Sequence, residues 1–158
     1  MFSHDTTRRI AAGTDFSEQI HWITYRDSCS FKENPAYRVA LLAAAATAQN
    51  SQAAMVTSDM YRLRGEARKK FCEQIIETRG MKLRPDVSVQ EVSDILQALV
   101  DGVCVRMAAD PDASLVDHER RRSLLGKAAL AIIAACVDSG DGLALEEFAN
   151  LVAGQNQP

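Results

Sequence analysis

No stretch of this sequence alternates apolar and polar residues over the length of a strand, and its four prolines stand where helices would begin or stop. The pattern leaves little for a sheet and points to an all-α fold. Long apolar runs are missing too. The longest, Ala128–Val137, falls far short of the roughly 18 residues that a membrane span requires, so no membrane partner is expected. The opening Ser3-His4-Asp5-Thr6-Thr7-Arg8-Arg9 has no apolar core behind it and does not read as a secretory signal, from which a cytoplasmic location follows as an expectation. Cys29, Cys72, Cys104 and Cys136 form no CxxC pair, and without a secretion signal they are expected to be buried reduced thiols rather than disulfides. His4, His21 and His118 lie near no cysteine pair, so no zinc site is expected. There is no GxSxG, P-loop, HExxH or glycine-rich dinucleotide turn, and neither an enzyme nor a cofactor is expected. Positive charge is not in excess: the net value is −3, which gives no global field toward nucleic acid or anionic lipid.

What the chain does have is helix formers, in 158 residues that suffice for one domain. Hydrophobic residues make up 47% and charged ones 25%, ordinary for a globular protein. Residues 1–13 and 154–158 lack an apolar rhythm and are expected to be flexible. The pattern predicts an antiparallel bundle of five main helices and a short sixth. The first runs from Phe16 to about Ser28, capped by Asp15 with Glu18 three residues on. The second opens at Asn34-Pro35 and continues through an alanine-rich run to Asn50. The third covers Gln52–Thr78 and stops at Gly80. Its predicted apolar stripe is Val56, Met60, Leu63, Ala67, Phe71 and Ile75, with Arg62, Glu66, Arg68, Lys69 and Glu73 opposite. Residues 82–85 read as a linker. The fourth begins at a capping box, Ser88-x-x-Glu91, and ends before Asp110-Pro111-Asp112. The fifth is expected over Val116–Val137, stopped by Ser139-Gly140-Asp141-Gly142, and Leu143–Val152 forms the closing turn of helix.

The fourth and fifth helices are apolar over more of their circumference than one partner needs. Such a helix is either central in its own core or buried against another subunit. Because these two come last in the chain, a symmetric homodimer built from two helices of each copy is expected. The expected interface residues are Ile95, Leu99, Gly102, Val103 and Met107 on the fourth helix, and Leu125, Ala129, Ile132, Ile133 and Cys136 on the fifth.

Ile95–Ala113 carries an apolar run, then Asp101-Gly102, then more apolar residues with Arg106, then Asp110-Pro111-Asp112. This segment resembles the penultimate helix of tetracycline-repressor-type transcriptional regulators. The order of helices from about Asp15 to Val137 is similar to the C-terminal, effector-binding and dimerising domain of that family. The resemblance implies a helical bundle whose last two long helices build the dimer, a role in which Gly102 would let the crossing helix come near. It also implies a cavity for a small apolar or amphipathic ligand and a role in transcription control. Members of the family open with a three-helix DNA-binding module of about fifty residues. Met1–Thr14 is too short for one, so no DNA binding by this chain alone is expected.

The expected ligand-binding residues are Phe16, Ile20, Trp22, Ile23 and Tyr25 on the first helix, Met55, Met60, Tyr61 and Phe71 on the third with Asp59 as a polar anchor, and Leu99 on the fourth. Apolar side chains with a few polar anchors are what small-molecule pockets require, although aromatic and methionine stripes also build plain cores. A stand-alone interaction protein that dimerises without a ligand is the alternative, and an empty, well-packed interior would distinguish it. Val137–Phe148 looks at first like a calcium loop. Placing Gly142 at the invariant glycine, however, puts Val137 and Phe148 where an aspartate and a bidentate glutamate must stand, so no metal is expected. The basic runs His118–Arg122 and Arg64–Lys70 read as solvated helix faces.

Overall fold

The computed structural model describes residues 15–34, 39, 51–110 and 112–154. The expected helix over 34–50 and the ends 1–13 and 155–158 fall outside the described residues, apart from Asn34 and Val39, as do the side chains of Val56 and Met60. The described chain is mostly helical, with α1 at Phe16–Glu33, α2 at Ser51–Thr78 and α3 at Val89–Ala109. A hairpin of two two-residue strands follows, β1 at Val116–Asp117 and β2 at Arg122–Ser123, and then α4 at Leu124–Cys136 and α5 at Leu145–Val152.

Local chemistry accounts for each boundary. Asp15 caps α1 by accepting from the Glu18 amide at 3.0 Å. The helix runs five residues beyond the expected Ser28. The Ser28 and Ser30 hydroxyls donate back to the Thr24 and Arg26 carbonyls, at 2.7 and 3.0 Å, instead of competing with the helix. Gly80, at φ 60°, ends α2, and the Met81 amide reaches back to the Ile76 carbonyl at 2.9 Å. Ser88 and Glu91 form the expected capping box on α3, the Ser88 amide donating to Glu91 Oε2 at 2.8 Å.

The expectation of helix from Val116 is corrected, since α4 begins only at Leu124. Asp117 Oδ1 accepts from the Arg120 amide at 2.9 Å, and Arg121 sits at φ 51°, which turns the chain sharply. Val116 then pairs with Ser123 and Asp117 with Arg122. Ser123 Oγ accepts from the Gly126 amide at 3.2 Å and starts the helix there. The basic run expected on a helix face is therefore the tip of a hairpin, tied to α1 by Arg122 on Glu18 and by Tyr25 Oη on His118 Nδ1 at 3.1 Å.

α1 packs chiefly on α4, and α2 on α3, with α3 and α4 closing the bundle. The core falls into two clusters. One joins Val100, Val103, Cys104 and Leu125, with Tyr61, Leu99 and Met107 against it. The other joins Ile23 and Ile75, with Phe16, Phe71 and Met81 against it.

The expected stripe on α2 is also corrected. Leu63 and Ala67 are exposed, while Tyr61, Arg64 and Arg68 are half-buried and Cys72 and Ile75 fully buried. The inward face of the helix thus contains arginines, whose aliphatic stems cover apolar surface.

The 82–86 segment is more than a linker. Leu83 pairs with Val137, and the Arg84 amide donates to the Cys136 carbonyl at 3.0 Å. Arg84 is 2% exposed. It donates to the Ala135 carbonyl at 2.7 Å, to Asp141 Oδ1 at 2.7 Å and to the Leu143 carbonyl at 3.0 Å. Its guanidinium lies 3.9 Å from the centre of the Phe148 ring. The loop whose sequence resembles a calcium site is thus organised by a cation from within the chain. Asp138 accepts from the Gly140 and Gly142 amides at 2.9 and 3.1 Å, and Arg84 holds Asp141 at a pKa of about 2. Among the described residues no three His, Cys, Asp or Glu side chains gather to hold a metal.

Candidate functional site: an apolar cavity between the helices

Between the two core clusters lies a cavity of about 110 Å³. Four helical stripes converge on it, each at three- and four-residue spacing. From α1 come Ile20, Ile23, Thr24 and Asp27, and from α2 come Arg68, Phe71, Cys72 and Ile75. α3 adds Val92, Leu96 and Val100, and α4 adds Leu125, Ala129, Ile133 and Cys136. The space arises because each cluster packs around one end of these stripes and Ala129 and Cys72 are small where the stripes meet. An apolar void too small to gather hydrogen-bonding partners stays dry, and one of roughly 150 Å³ accepts a benzene ring.

Two charged side chains line this wall, Asp27 and Arg68. Thr24 contributes little polarity, because its hydroxyl donates to the Ile20 carbonyl at 2.7 Å. Arg68 Nε donates to Gln97 Oε1 at 3.1 Å, and Gln97 Nε2 donates to Asp101 Oδ1 at 2.9 Å. Tyr61 hydrogen-bonds to the same Asp101, so a polar ladder runs along the α2–α3 seam and ends on the cavity. Burial pushes the Asp27 carboxyl above the usual carboxylate range, a rise that Arg68 and Arg26 oppose. Burial also pushes the Cys72 thiol up to about 11, which keeps it protonated and inert.

Of the residues expected to bind a ligand, Ile20, Ile23 and Phe71 line this cavity. Phe16 packs on the Ile23–Ile75 cluster, with the Arg79 guanidinium 4.6 Å from its ring centre. Tyr61 and Leu99 pack on the other cluster. Trp22 is exposed and stacks with Arg26, and Tyr25 is turned toward His118. Met55 is 69% exposed, and Asp59 pairs with Arg62 at 3.4 Å on the surface. Met60 carries a side chain outside the described residues. Asp27 and Gln97 are not singled out by the sequence, and Arg68, expected on the outward side of its helix, lines the cavity instead. The available signal was register, since Asp27 lies seven residues after Ile20, and Arg68 seven before Ile75.

The expected interface residues divide in the same way. Val103, Leu125, Ala129 and Cys136 are buried in the chain's own core, and Ile133 lines the cavity. Leu99, Met107 and Ile132 are half-buried. Ile95 is 44% exposed and Gly102 is exposed, with no atom within 4 Å of where a Cβ would stand. They belong to an outward stripe of α3, Ile95, Ala98, Gly102, Val105 and Ala109, all exposed. On α4, Leu124, Ala131 and Ala134 are exposed as well. Among the described residues no helix is long and apolar enough to cross a membrane.

A second hollow, of about 330 Å³, lies beside Cys29, Glu33, Met107 and His118 and is more polar. No family model, curated protein or solved structure matches the chain.

Proposed function

We propose that this chain is a ligand-sensing, dimerising domain of the tetracycline-repressor type, which takes a small apolar molecule between its helices and regulates transcription when joined to a DNA reader. The cavity between the two core clusters carries this reading. A domain whose only task was to present a dimer surface would gain from filling that space, because voids in a core cost stability. The outward apolar stripe of α3 and the exposed alanines of α4 support pairing with a second copy, which would remove them from water. With a net charge of −3, the chain by itself is not proposed to bind DNA.

A melting screen with a library of small apolar compounds tests the sensor reading. A compound at 100 times its dissociation constant stabilises the fold by about 2.7 kcal/mol, or roughly 5–11 °C for a chain of this size. The same compound should give no shift in Ala129→Leu, whose larger side chain projects into the cavity. A screen in which nothing shifts the melting temperature would favour an interaction protein without a ligand.

A further inference from the structure

The geometry points to a second site, in which the Cys29 thiol captures a small uncharged electrophile of the α,β-unsaturated carbonyl class. This site lies apart from the apolar cavity and stands whether or not the sensor reading holds. Cys72, Cys104 and Cys136 are buried, whereas Cys29 is partly exposed among the described residues and lines the hollow of about 330 Å³. His118 lines the same hollow, brought there by the hairpin. Tyr25 joins the two. Its hydroxyl lies 3.1 Å from His118 Nδ1, and Cys29, one helical turn further along α1, is within hydrogen-bonding reach of the same oxygen. With the imidazole proton on Nε2, the thiol donates to the hydroxyl and the hydroxyl donates to Nδ1, a path by which the thiol proton can leave. The thiolate is the nucleophile, and a base that takes its proton is what a thiol at neutral pH needs.

The step balances without a co-reactant. The sulfur forms a bond to the β-carbon, the carbon–carbon π bond breaks, and its electron pair goes to the α-carbon. The thiol proton leaves through Tyr25 to His118, and one proton is delivered in turn to the α-carbon. Thiol and alkene become one thioether, and Tyr25 and His118 end as they began. The remaining wall sets the class of molecule. Met107, Leu115 and Val116 offer apolar surface to its body, and the volume exceeds the roughly 150 Å³ of a site for one benzene ring. Glu33 and Asp110 also line the hollow. Arg106 answers Asp110 at 3.0 Å, yet an anionic electrophile would still meet two carboxylates beside the thiol.

The test incubates the full chain at neutral pH with N-ethylmaleimide and with its carboxylate-bearing analogue 3-maleimidopropionate, and follows adducts by intact mass and peptide mapping. N-ethylmaleimide should give one adduct, on Cys29, and Cys29→Ser should give none. Cys29 should react about tenfold faster than 2-mercaptoethanol does, and the neutral reagent should be preferred over the anionic one when each rate is divided by that of 2-mercaptoethanol. Tyr25→Phe, which keeps the ring and removes the hydroxyl, and His118→Asn should each slow Cys29 about tenfold. A merely steric role for these two side chains would leave the rate unchanged or raise it. Far-ultraviolet circular dichroism establishes that each variant is folded. If neither variant folds, the rate of the unmutated chain against 2-mercaptoethanol decides the matter. The proposal is overturned by adducts on another cysteine ahead of Cys29, by a Cys29 rate at or below that of 2-mercaptoethanol, or by undiminished rates in both folded variants. Equal normalised rates for the two maleimides overturn the assignment to uncharged electrophiles.

Discussion

Gly126 of α4 packs directly against α1. A Cβ there would lie 2.6 Å from Thr24 Oγ1 and 2.7 Å from His21 Nδ1. Neither atom can swing away freely, since the Thr24 hydroxyl is bonded to the Ile20 carbonyl and the His21 ring is buried. Gly126→Ala gains about 1 kcal/mol in helix propensity but incurs overpacking of about 1–3 kcal/mol. The expected outcome is a net loss on the order of 1–2 kcal/mol, read as a lower midpoint in urea. His21 adds a pH dependence. Burial, aided by Arg122, lowers its pKa below the ordinary 6.5 in the folded chain. As pH falls through 6.5 the unfolded chain takes up the proton first, so stability should decline from there downward. The urea midpoint measured between about pH 7 and pH 5 should fall more steeply for the native chain than for His21→Gln. Neither feature was legible in the sequence, because a glycine next to a leucine pair and a histidine beside a tryptophan carry no sign of which helix they will meet.

At the scale of elements, the sequence was informative wherever a short-range rule decides. Asp15, Ser88-x-x-Glu91 and Gly80 mark boundaries that depend on neighbours within four residues, and the structure places them as read. It was uninformative where a competing local bond wins. Asp117 and Arg121 divert the chain into a hairpin despite the helix-compatible run around them. On α2 the apolar pattern pointed to Leu63 and Ala67, and tertiary packing instead turned Arg64 and Arg68 inward. Arg84 shows the same effect, a charged residue in an apparent linker that becomes the most connected side chain of the 82–86 segment. Arg84→Ala leaves the Ala135 and Leu143 carbonyls without their donor, each on the order of 1–3 kcal/mol where buried. Hydrogen exchange should then show α5 and residues 138–144 losing protection ahead of α1–α4, and an unchanged pattern would contradict the anchoring role.

At the scale of the molecule, the mostly helical character of the described residues was legible from periodicity alone, while the cavity was not. Large residues facing small ones can interlock or leave a void, and only the relative placement of Phe71, Ile75 and Ala129 decides which. The dimer proposal can be separated from the fold because Gly102 has open space around it. Gly102→Leu should leave the melting curve of a single chain intact while converting particles of twice the chain mass, measured by light scattering, into monomers. A native chain that is monomeric at micromolar concentration would contradict the dimer.

The central claim, that a small apolar molecule enters between the helices, is tested most directly by methyl-resolved nuclear magnetic resonance of the chain titrated with toluene. The account predicts shifts at the methyl groups that line the cavity, among them Ile20, Ile23, Ile75, Val92, Leu125 and Ile133, with Ile95, Val105 and Leu124 unmoved. Shifts at the outward methyls alone, or none at saturating toluene, would contradict it.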